Sequence, residues 1–163
     1  MAVELMGEME YSIHPPSSFI QQSWPALLPG WRMPVLSVLV LLQRSPIALC
    51  RSTLEVKAAK NALRDRSFQL LLPLVERLRT HHYQATMFDP CTGLPYRSQL
   101  SGLPLNDVAV VHAVLGYERQ QYGQCYCILH PNWGSSVYPT IMLSSALPTT
   151  LERLGLAHHY VNN

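Results

Sequence analysis

The chain has 163 residues, of which 48% are hydrophobic and 13% are charged, and its formal net charge is +2. This length predicts one domain built around a single hydrophobic core. The small net charge and the scattered basic residues do not favour nucleic-acid binding. The low charged fraction favours a partner protein or a homodimer interface.

The segment 1–10 carries three glutamates and lacks the basic and apolar regions of a secretory signal, so we expect a flexible leader followed by one domain over 11–163. The longest apolar run, 35–42, is much shorter than the about 20 residues of a membrane helix. No membrane association is therefore predicted. Four unevenly spaced cysteines are too few for a secreted disulfide framework, which favours the reducing cytoplasm.

The first half of the chain predicts a strand, a short helix and a second strand. Tyr11–His14 is expected to be a short strand, and Ser17 is an N-cap for a brief helix that continues to Gln22. The run Pro34–Leu42 is rich in valine and leucine and too short for a buried helix. It predicts a central strand that is covered on both faces.

A long helix is predicted over 53–80, where apolar residues recur at helical spacing. Ser52 and Glu55 match a capping box at its start, and Pro73 is expected to kink or break it. The following segment, 82–88, is predicted to be a strand that leads into an exposed, turn-rich loop.

A second helix is predicted over 106–119, with Asn106 as its N-cap. Two strands are then predicted, 125–130 and 137–144, and the loop 131–136 between them favours a hairpin with a functional tip.

The last predicted helix begins at Pro148 and ends at Gly155, and the tail from His158 is expected to fray. Together the elements predict an α+β domain in which helices flank a mixed β-sheet.

The densest group of reactive side chains is Cys125, Cys127, His130 and Trp133, within nine residues. Residues two apart on a strand share a face, so the two sulfurs are expected to project the same way. That arrangement suits a soft metal ion, a redox pair or a single thiolate. The alternative is that each cysteine is a small buried hydrophobic residue. No CxxC pair is present to predict a structural zinc site.

The usual nucleotide and nucleophile motifs are absent. The sequence contains no GxSxG, GxxxxGK[ST], HExxH or GxGxxG pattern. These absences give no support to a flavin or nucleotide enzyme.

A longer run of residues resembles a known family. The run includes Leu115-Gly116-Tyr117, Gly123, Cys125, His130 and Trp133-Gly134. It is similar to the C-terminal domain of the methylmalonic aciduria and homocystinuria type D protein family, which acts in intracellular cobalamin (vitamin B12) trafficking. The similarity is clearest over 115–145 and extends more loosely from Tyr11 onward.

The resemblance implies a flavin-free domain related to the nitroreductases. It also implies an adaptor, not an enzyme, that receives cobalamin from a processing protein and directs it to cobalamin-dependent enzymes. The family's cobalt-ligating cysteine follows the glycine equivalent to Gly123. That position is Gln124 here, and a cysteine stands one residue later at Cys125.

Site roles follow from the same resemblance. Cys125 is the implied cobalt ligand, and Cys127 is the second candidate for that role. His130 would orient or protonate the thiol, and Trp133 would offer an apolar surface to the corrin or to a partner. Two alternatives stay open: an oxidoreductase of this fold, using flavin or the Cys125 and Cys127 pair, and a purely structural subunit.

Overall fold

The structure is a computed structural model that describes residues 4–5, 8–100 and 102–155. The elements, in chain order, are β1 (Glu4–Leu5), β2 (Met9–His14), α1 (Ser18–Leu27), β3 (Ser37–Arg44), α2 (Leu54–Thr80), β4 (Ala85–Met87), α3 (Asp107–Leu115), β5 (Glu118–Tyr122), β6 (Cys125–Leu129), β7 (Val137–Ser144) and α4 (Pro148–Leu154).

Five strands form one sheet in the order β1-β2-β3-β7-β4, and β5 and β6 form a separate hairpin. The α+β prediction is confirmed. Every described strand pair is antiparallel, so the prediction of a mixed sheet is wrong. The order of strands and helices along the chain does not decide the direction of pairing, because antiparallel neighbours can also be joined by long connections.

The predicted central strand is confirmed as β3, the third of the five strands. It pairs with β7 along its whole length, from Ser37 opposite Ser144 to Arg44 opposite Val137. One face of β3 packs in a core with α2 and α4, and the other packs in a core with α1, α3 and the hairpin. Both faces are therefore covered, as the apolar run indicated.

The helix ends differ from prediction in ways that local chemistry explains. Helix α2 is capped by Thr53, whose hydroxyl accepts the backbone N–H of Val56 at 3.1 Å, where Ser52 was expected. Pro73 is exposed and α2 continues through it. Helix α3 has Asn106 as its cap, as predicted, but ends at Leu115 because Gly116 takes a left-handed conformation with φ 71°.

The start of the domain lies earlier than Tyr11. Glu4 and Leu5 pair with strand β2, and Met9 and Glu10 are buried within that strand. Part of the predicted leader thus belongs to the sheet. The predicted tail from His158 lies outside the described residues.

The predicted hairpin between 125–130 and 137–144 is wrong. Strand β6 pairs with β5, and strand β7 pairs with β3 on one side and β4 on the other. Both edges of β7 are therefore occupied. The sequence Glu118–Tyr122 gave no signal for β5, because it lacks apolar alternation and all five of its residues are exposed.

The outer edge of β4 is closed by side-chain and loop contacts. The backbone N–H of Tyr96 donates to the carbonyl of Met87 at 2.9 Å. Nε of Arg79 donates to the carbonyl of Ala85 at 3.1 Å. These two bonds occupy carbonyl groups that an edge strand would otherwise expose.

Within the described residues, no helix combines the length and the apolar character needed to cross a membrane.

Candidate functional site

The β5–β6 hairpin places Cys125 at its tip. The two strands are joined by Gly123 and Gln124, with Tyr122 opposite Cys125 across the turn. Gly123 has φ 59°, which suits glycine at the first central position of a two-residue hairpin turn. Cys125 is exposed and its sulfur is a free thiol.

The register of this hairpin places Gln124 in the turn and not in a strand. Pairing continues without a bulge from Tyr122 opposite Cys125 to Glu118 opposite Leu129. The family's cysteine position and Cys125 are therefore neighbours at the tip, one in the turn and one at the first strand residue. The thiol stays at the same end of the hairpin.

Cys127 does not hold a free thiol. It forms a disulfide with Cys50, which follows β3, and the two Cα atoms are 5.9 Å apart. This pairing contradicts the expectation that Cys127 is a reserve ligand or the redox partner of Cys125. The two residues lie 77 positions apart, so local spacing gave no signal for the bond.

His130 is buried and fixed by other parts of the chain. Its Nε2 lies 2.9 Å from Oε2 of Glu10 on β2. Its Nδ1 accepts the backbone N–H groups of Asn132 at 3.1 Å and Trp133 at 3.2 Å. Since Nδ1 accepts both bonds, we assign the proton to Nε2, which donates to Glu10.

These bonds give His130 a structural role. The Pro131–Gly134 turn is closed by reciprocal backbone bonds between His130 and Gly134, at 2.8 and 2.9 Å. The His130 ring lies five strand positions from Cys125, roughly 16 Å along an extended chain. His130 therefore does not orient the Cys125 thiol, contrary to the sequence-based expectation.

Trp133 lies against His130. Their ring centroids are 4.1 Å apart and the planes are inclined by 13°. The indole is partly buried and packs against the core that includes the hairpin. The structure thus separates the four predicted residues: Cys125 is at the exposed tip, Cys127 is in a disulfide, and His130 and Trp133 hold a turn at the far end of β6.

A cleft that the sequence did not predict lies beside the disulfide. It has a volume of about 350 Å³ and is bounded by α2, the start of α3, the start of β7, strand β6 and the loop after β4. We call it the α2–α3 cleft. Its polar lining includes Lys57, Lys60, Asn61, Arg64, Cys91, Asp107, Tyr126 and Tyr138.

An ion pair organises one side of the α2–α3 cleft. Nε of Arg64 donates to Oδ1 of Asp89 at 2.7 Å, and a second guanidinium nitrogen donates to Oδ2. The hydrogen bond from Arg64 is the main reason that the pKa of Asp89 lies below its usual value. Asp89 also accepts the backbone N–H of Cys91 at 2.9 Å, which fixes the loop that carries this exposed thiol.

Asp107 has an unusual carboxyl group. Burial raises its pKa to about 6, although the N–H of Val108 and the charge of Lys60 favour the ionised form. The Val108 N–H donates to Oδ1 of Asp107 at 2.8 Å. A carboxyl with a pKa in this range is a feature of many functional sites.

Tyr138 is 7% exposed and lies at the base of the α2–α3 cleft. Burial raises the pKa of its phenol, and the negative charges of Asp107 and Asp89 raise it further. Among the described residues, the Tyr138 hydroxyl has no hydrogen-bond partner and is not sealed from solvent. It is a neutral hydrogen-bond donor in the lining of the cleft.

The spacing of three basic residues on α2 was a sequence signal for this cleft. Lys57, Lys60 and Arg64 recur at helical spacing, and the two lysines are the only ones in the chain. The basic residues were interpreted as scattered. Asp107 and Tyr138, which complete the group, come from distant positions that the spacing on α2 does not indicate.

A larger pocket of about 490 Å³ lies across β4 and the second half of α2. We do not choose it as the functional site, because two of its charged groups, Arg79 and Glu76, already have partners. Arg79 bonds to Ala85 and Glu76, and Glu76 accepts from Arg79 at 3.1 Å.

Comparisons with known proteins give no family assignment: no protein-family model matches the chain, and a search of curated proteins finds no similar sequence.

Proposed function

We propose that this protein is an adaptor for cobalamin, not an enzyme, and that the Cys125 thiolate meets the cobalt of the bound ligand. The observation that carries the proposal is the free, exposed thiol at the tip of the β5–β6 hairpin. It lies within the run 115–134 that resembles the cobalamin-trafficking family.

The residues at the tip fit this ligand. The corrin ring already supplies the equatorial ligands of cobalt, so the protein needs to offer one soft axial donor. Cys125 is such a donor. Among the described residues there is no cluster of three or more histidine, cysteine, aspartate or glutamate side chains, so a complete protein-built metal site has no support. The thiol must lose its proton before it can coordinate.

The surroundings of Cys125 support a protein interface. Tyr122 and Tyr126 flank it on the hairpin and are 42% and 50% exposed. Tyrosine is enriched in protein interfaces, where its ring packs and its hydroxyl bonds to a partner. We propose that this surface receives cobalamin from a processing protein or passes it to a cobalamin-dependent enzyme; a homodimer contact through it stays a prediction.

The test is a titration of the purified protein with cob(II)alamin and aquocobalamin, followed in the visible spectrum. We expect a band shift from sulfur coordination, which Cys125→Ala abolishes. Cys91→Ala is the matched control, since it removes the other free thiol, and it should retain the shift. A shift that survives Cys125→Ala would reject the assignment of the site.

A double variant tests the position of the thiol. Gln124→Cys combined with Cys125→Ala moves the sulfur to the family's position within the same turn. We expect the shift to return, because both positions lie at the hairpin tip. Failure of the double variant, with a shift present in the unmodified protein, would show that the strand position is required.

A second candidate function has one supporting observation, the Cys50–Cys127 disulfide. A thiol oxidoreductase would take two electrons and two protons from a substrate dithiol, leaving Cys50 and Cys127 as thiols and the substrate as a disulfide. Stoichiometric oxidation of a dithiol, one equivalent for each protein molecule, that Cys50→Ser abolishes would support it. The flavin-dependent form has no supporting observation, and a yellow purified protein would reveal it.

We also propose a cytoplasmic location, from the resemblance. A disulfide is unusual in that compartment, where thioredoxin and glutathione keep most thiols reduced. Rapid alkylation of whole cells, followed by mass spectrometry of Cys50 and Cys127, tests the proposal. We expect alkylated thiols in the cytoplasm, whereas an intact disulfide in freshly quenched cells would point to an oxidising compartment.

A further inference from the structure

The lysines of the α2–α3 cleft have no acidic partner of their own. Lys57 and Lys60 lie one turn apart on α2 and both line the cleft. In the part of the chain that the structure describes, neither forms an ion pair. Arg64 is neutralised by Asp89, so two lysines face the single carboxyl of Asp107. This balance favours an incoming anion.

The Tyr138 hydroxyl is a second, independent feature of the cleft. Tyr138 is 7% exposed and lines the cleft, and its hydroxyl is not sealed from solvent. The hydroxyl is open to the cleft and has no hydrogen-bond partner among the described residues, so it is available to a ligand. It can donate to an acceptor that enters the cleft.

The remaining wall is apolar. Ile128, Val137 and Pro139 line it, and the volume of about 350 Å³ lies at the lower end of the range for small-molecule sites. We infer that the α2–α3 cleft binds a small organic anion, with its carboxylate or phosphate at Lys57 and Lys60, its apolar body against this wall, and an acceptor atom at Tyr138. This site borders the hairpin-tip surface at Tyr126 but does not include Cys125, and it does not depend on cobalamin binding.

Asp107 opposes the anion in this site. Its carboxylate shares the attraction of Lys60 with the ligand. Replacing it with a neutral isostere removes a like charge from the cleft. We therefore expect Asp107→Asn to bind the anion more tightly at neutral pH, the reverse of the effect of replacing a lysine.

The experiment uses two fluorescent probes of similar shape, anilinonaphthalene sulfonate, which is an anion, and phenylnaphthylamine, which is neutral. We expect the sulfonate to bind the full chain at one site. Lys60→Gln should weaken sulfonate binding about fivefold, the effect of one nearby charge at a protein surface. It should leave the binding of the neutral probe unchanged.

Arg66→Gln is the matched control. Arg66 is exposed on the same helix and does not line the cleft, so its loss changes the net charge equally. Sulfonate binding should not change in this variant. Equal weakening by Lys60→Gln and Arg66→Gln would overturn the proposal, and so would a failure of the sulfonate to bind. Unchanged thermal unfolding of each variant shows that the fold is intact.

Two displacers identify the anion. Displacement of the sulfonate by benzoate alone assigns a carboxylate ligand, and displacement by phenyl phosphate alone assigns a phosphate ester. Displacement by neither overturns the proposal. Tyr138→Phe should weaken the binding of the anion that displaces the sulfonate. It should not change the binding of the neutral probe, because only the hydroxyl is removed.

Discussion

The five-stranded sheet and the β5–β6 hairpin use the same backbone geometry in opposite surroundings. All eight residues of β7 are buried, whereas all five residues of β5 are exposed. The sheet is stabilised by its two cores. The hairpin is held by a few attachments: the Cys50–Cys127 disulfide, the bond from His130 to Glu10, and the buried side chain of Ile128. The region that carries the free thiol of Cys125 therefore depends on fewer contacts than the sheet.

The two regions should differ most in how much the free energy of unfolding falls when a side chain is truncated to alanine. Leu39→Ala, in the centre of β3, should lower the free energy of unfolding by about 2–5 kcal/mol, because a fully buried leucine leaves a cavity. Tyr122→Ala, on the hairpin, should change it by less than about 0.5 kcal/mol. Urea denaturation of both variants measures the two values. Comparable losses would show that the hairpin belongs to the stabilising core.

The disulfide should give the next largest effect, since it connects the hairpin to the chain after β3. Cys50→Ser opens a loop of 77 residues and should lower the free energy of unfolding by about 2–4 kcal/mol. Reducing agent should have the same effect on the unmodified protein and none on the variant. Cys91→Ser is the control for loss of a thiol. Insensitivity of the unmodified protein to reductant would refute this attachment.

The α2–α3 cleft, where sheet and hairpin meet, should show a pH effect. Asp107 has a pKa of about 6 in the folded protein, above that of an unfolded aspartate, so the folded state holds a proton that the unfolded state releases. Its contribution to stability should therefore increase by about 1–3 kcal/mol as the pH falls from about 8 to about 5.

The control for this effect is Asp107→Asn, which removes the titrating group. His14 has the opposite effect on stability: burial lowers the pKa of its imidazole, so its contribution to stability decreases as the pH falls. The difference between the unmodified protein and Asp107→Asn isolates the carboxyl. Chemical denaturation at each pH provides the data, and a difference that does not vary with pH would contradict the prediction.

The smallest effect concerns the hairpin turn. Gly123→Ala should cost about 1 kcal/mol, because φ 59° is unfavourable for a residue with a side chain. A methyl group there meets no atom within 4 Å, so steric contact adds nothing. Amide hydrogen exchange should show faster opening of β5 and β6 and no change in β3. Gln124→Ala, at the adjacent turn position, should leave exchange unaltered.

The sequence predicted the elements whose signals are local. The apolar run in β3, the Asn106 cap and the helix between Pro148 and Gly155 are confirmed. Strand β5 was missed because a strand exposed on both faces carries no apolar alternation. Its absence from the prediction left β6 without a partner and led to the wrong pairing with β7.

The candidate site residues also fall into those that local sequence indicates and those that depend on distant residues. Cys125 was identified because it lies in a dense local group of side chains and in the run 115–134 that resembles a known family. The disulfide of Cys127 and the burial of His130 depend on Cys50 and Glu10, which are 77 and 120 positions away. The α2–α3 cleft needs Lys60, Asp107 and Tyr138 together, and only folding brings these residues to one place.

The bonds along β4 also limit the addition of another strand at that edge of the sheet. A strand from a second molecule adds to a sheet by pairing with free carbonyl and N–H groups at the edge. The carbonyls of Ala85 and Met87 already bond to Arg79 and Tyr96. Growth of the sheet into fibres through β4 would first have to displace both groups, which protects concentrated solutions of the protein from polymerisation at that edge.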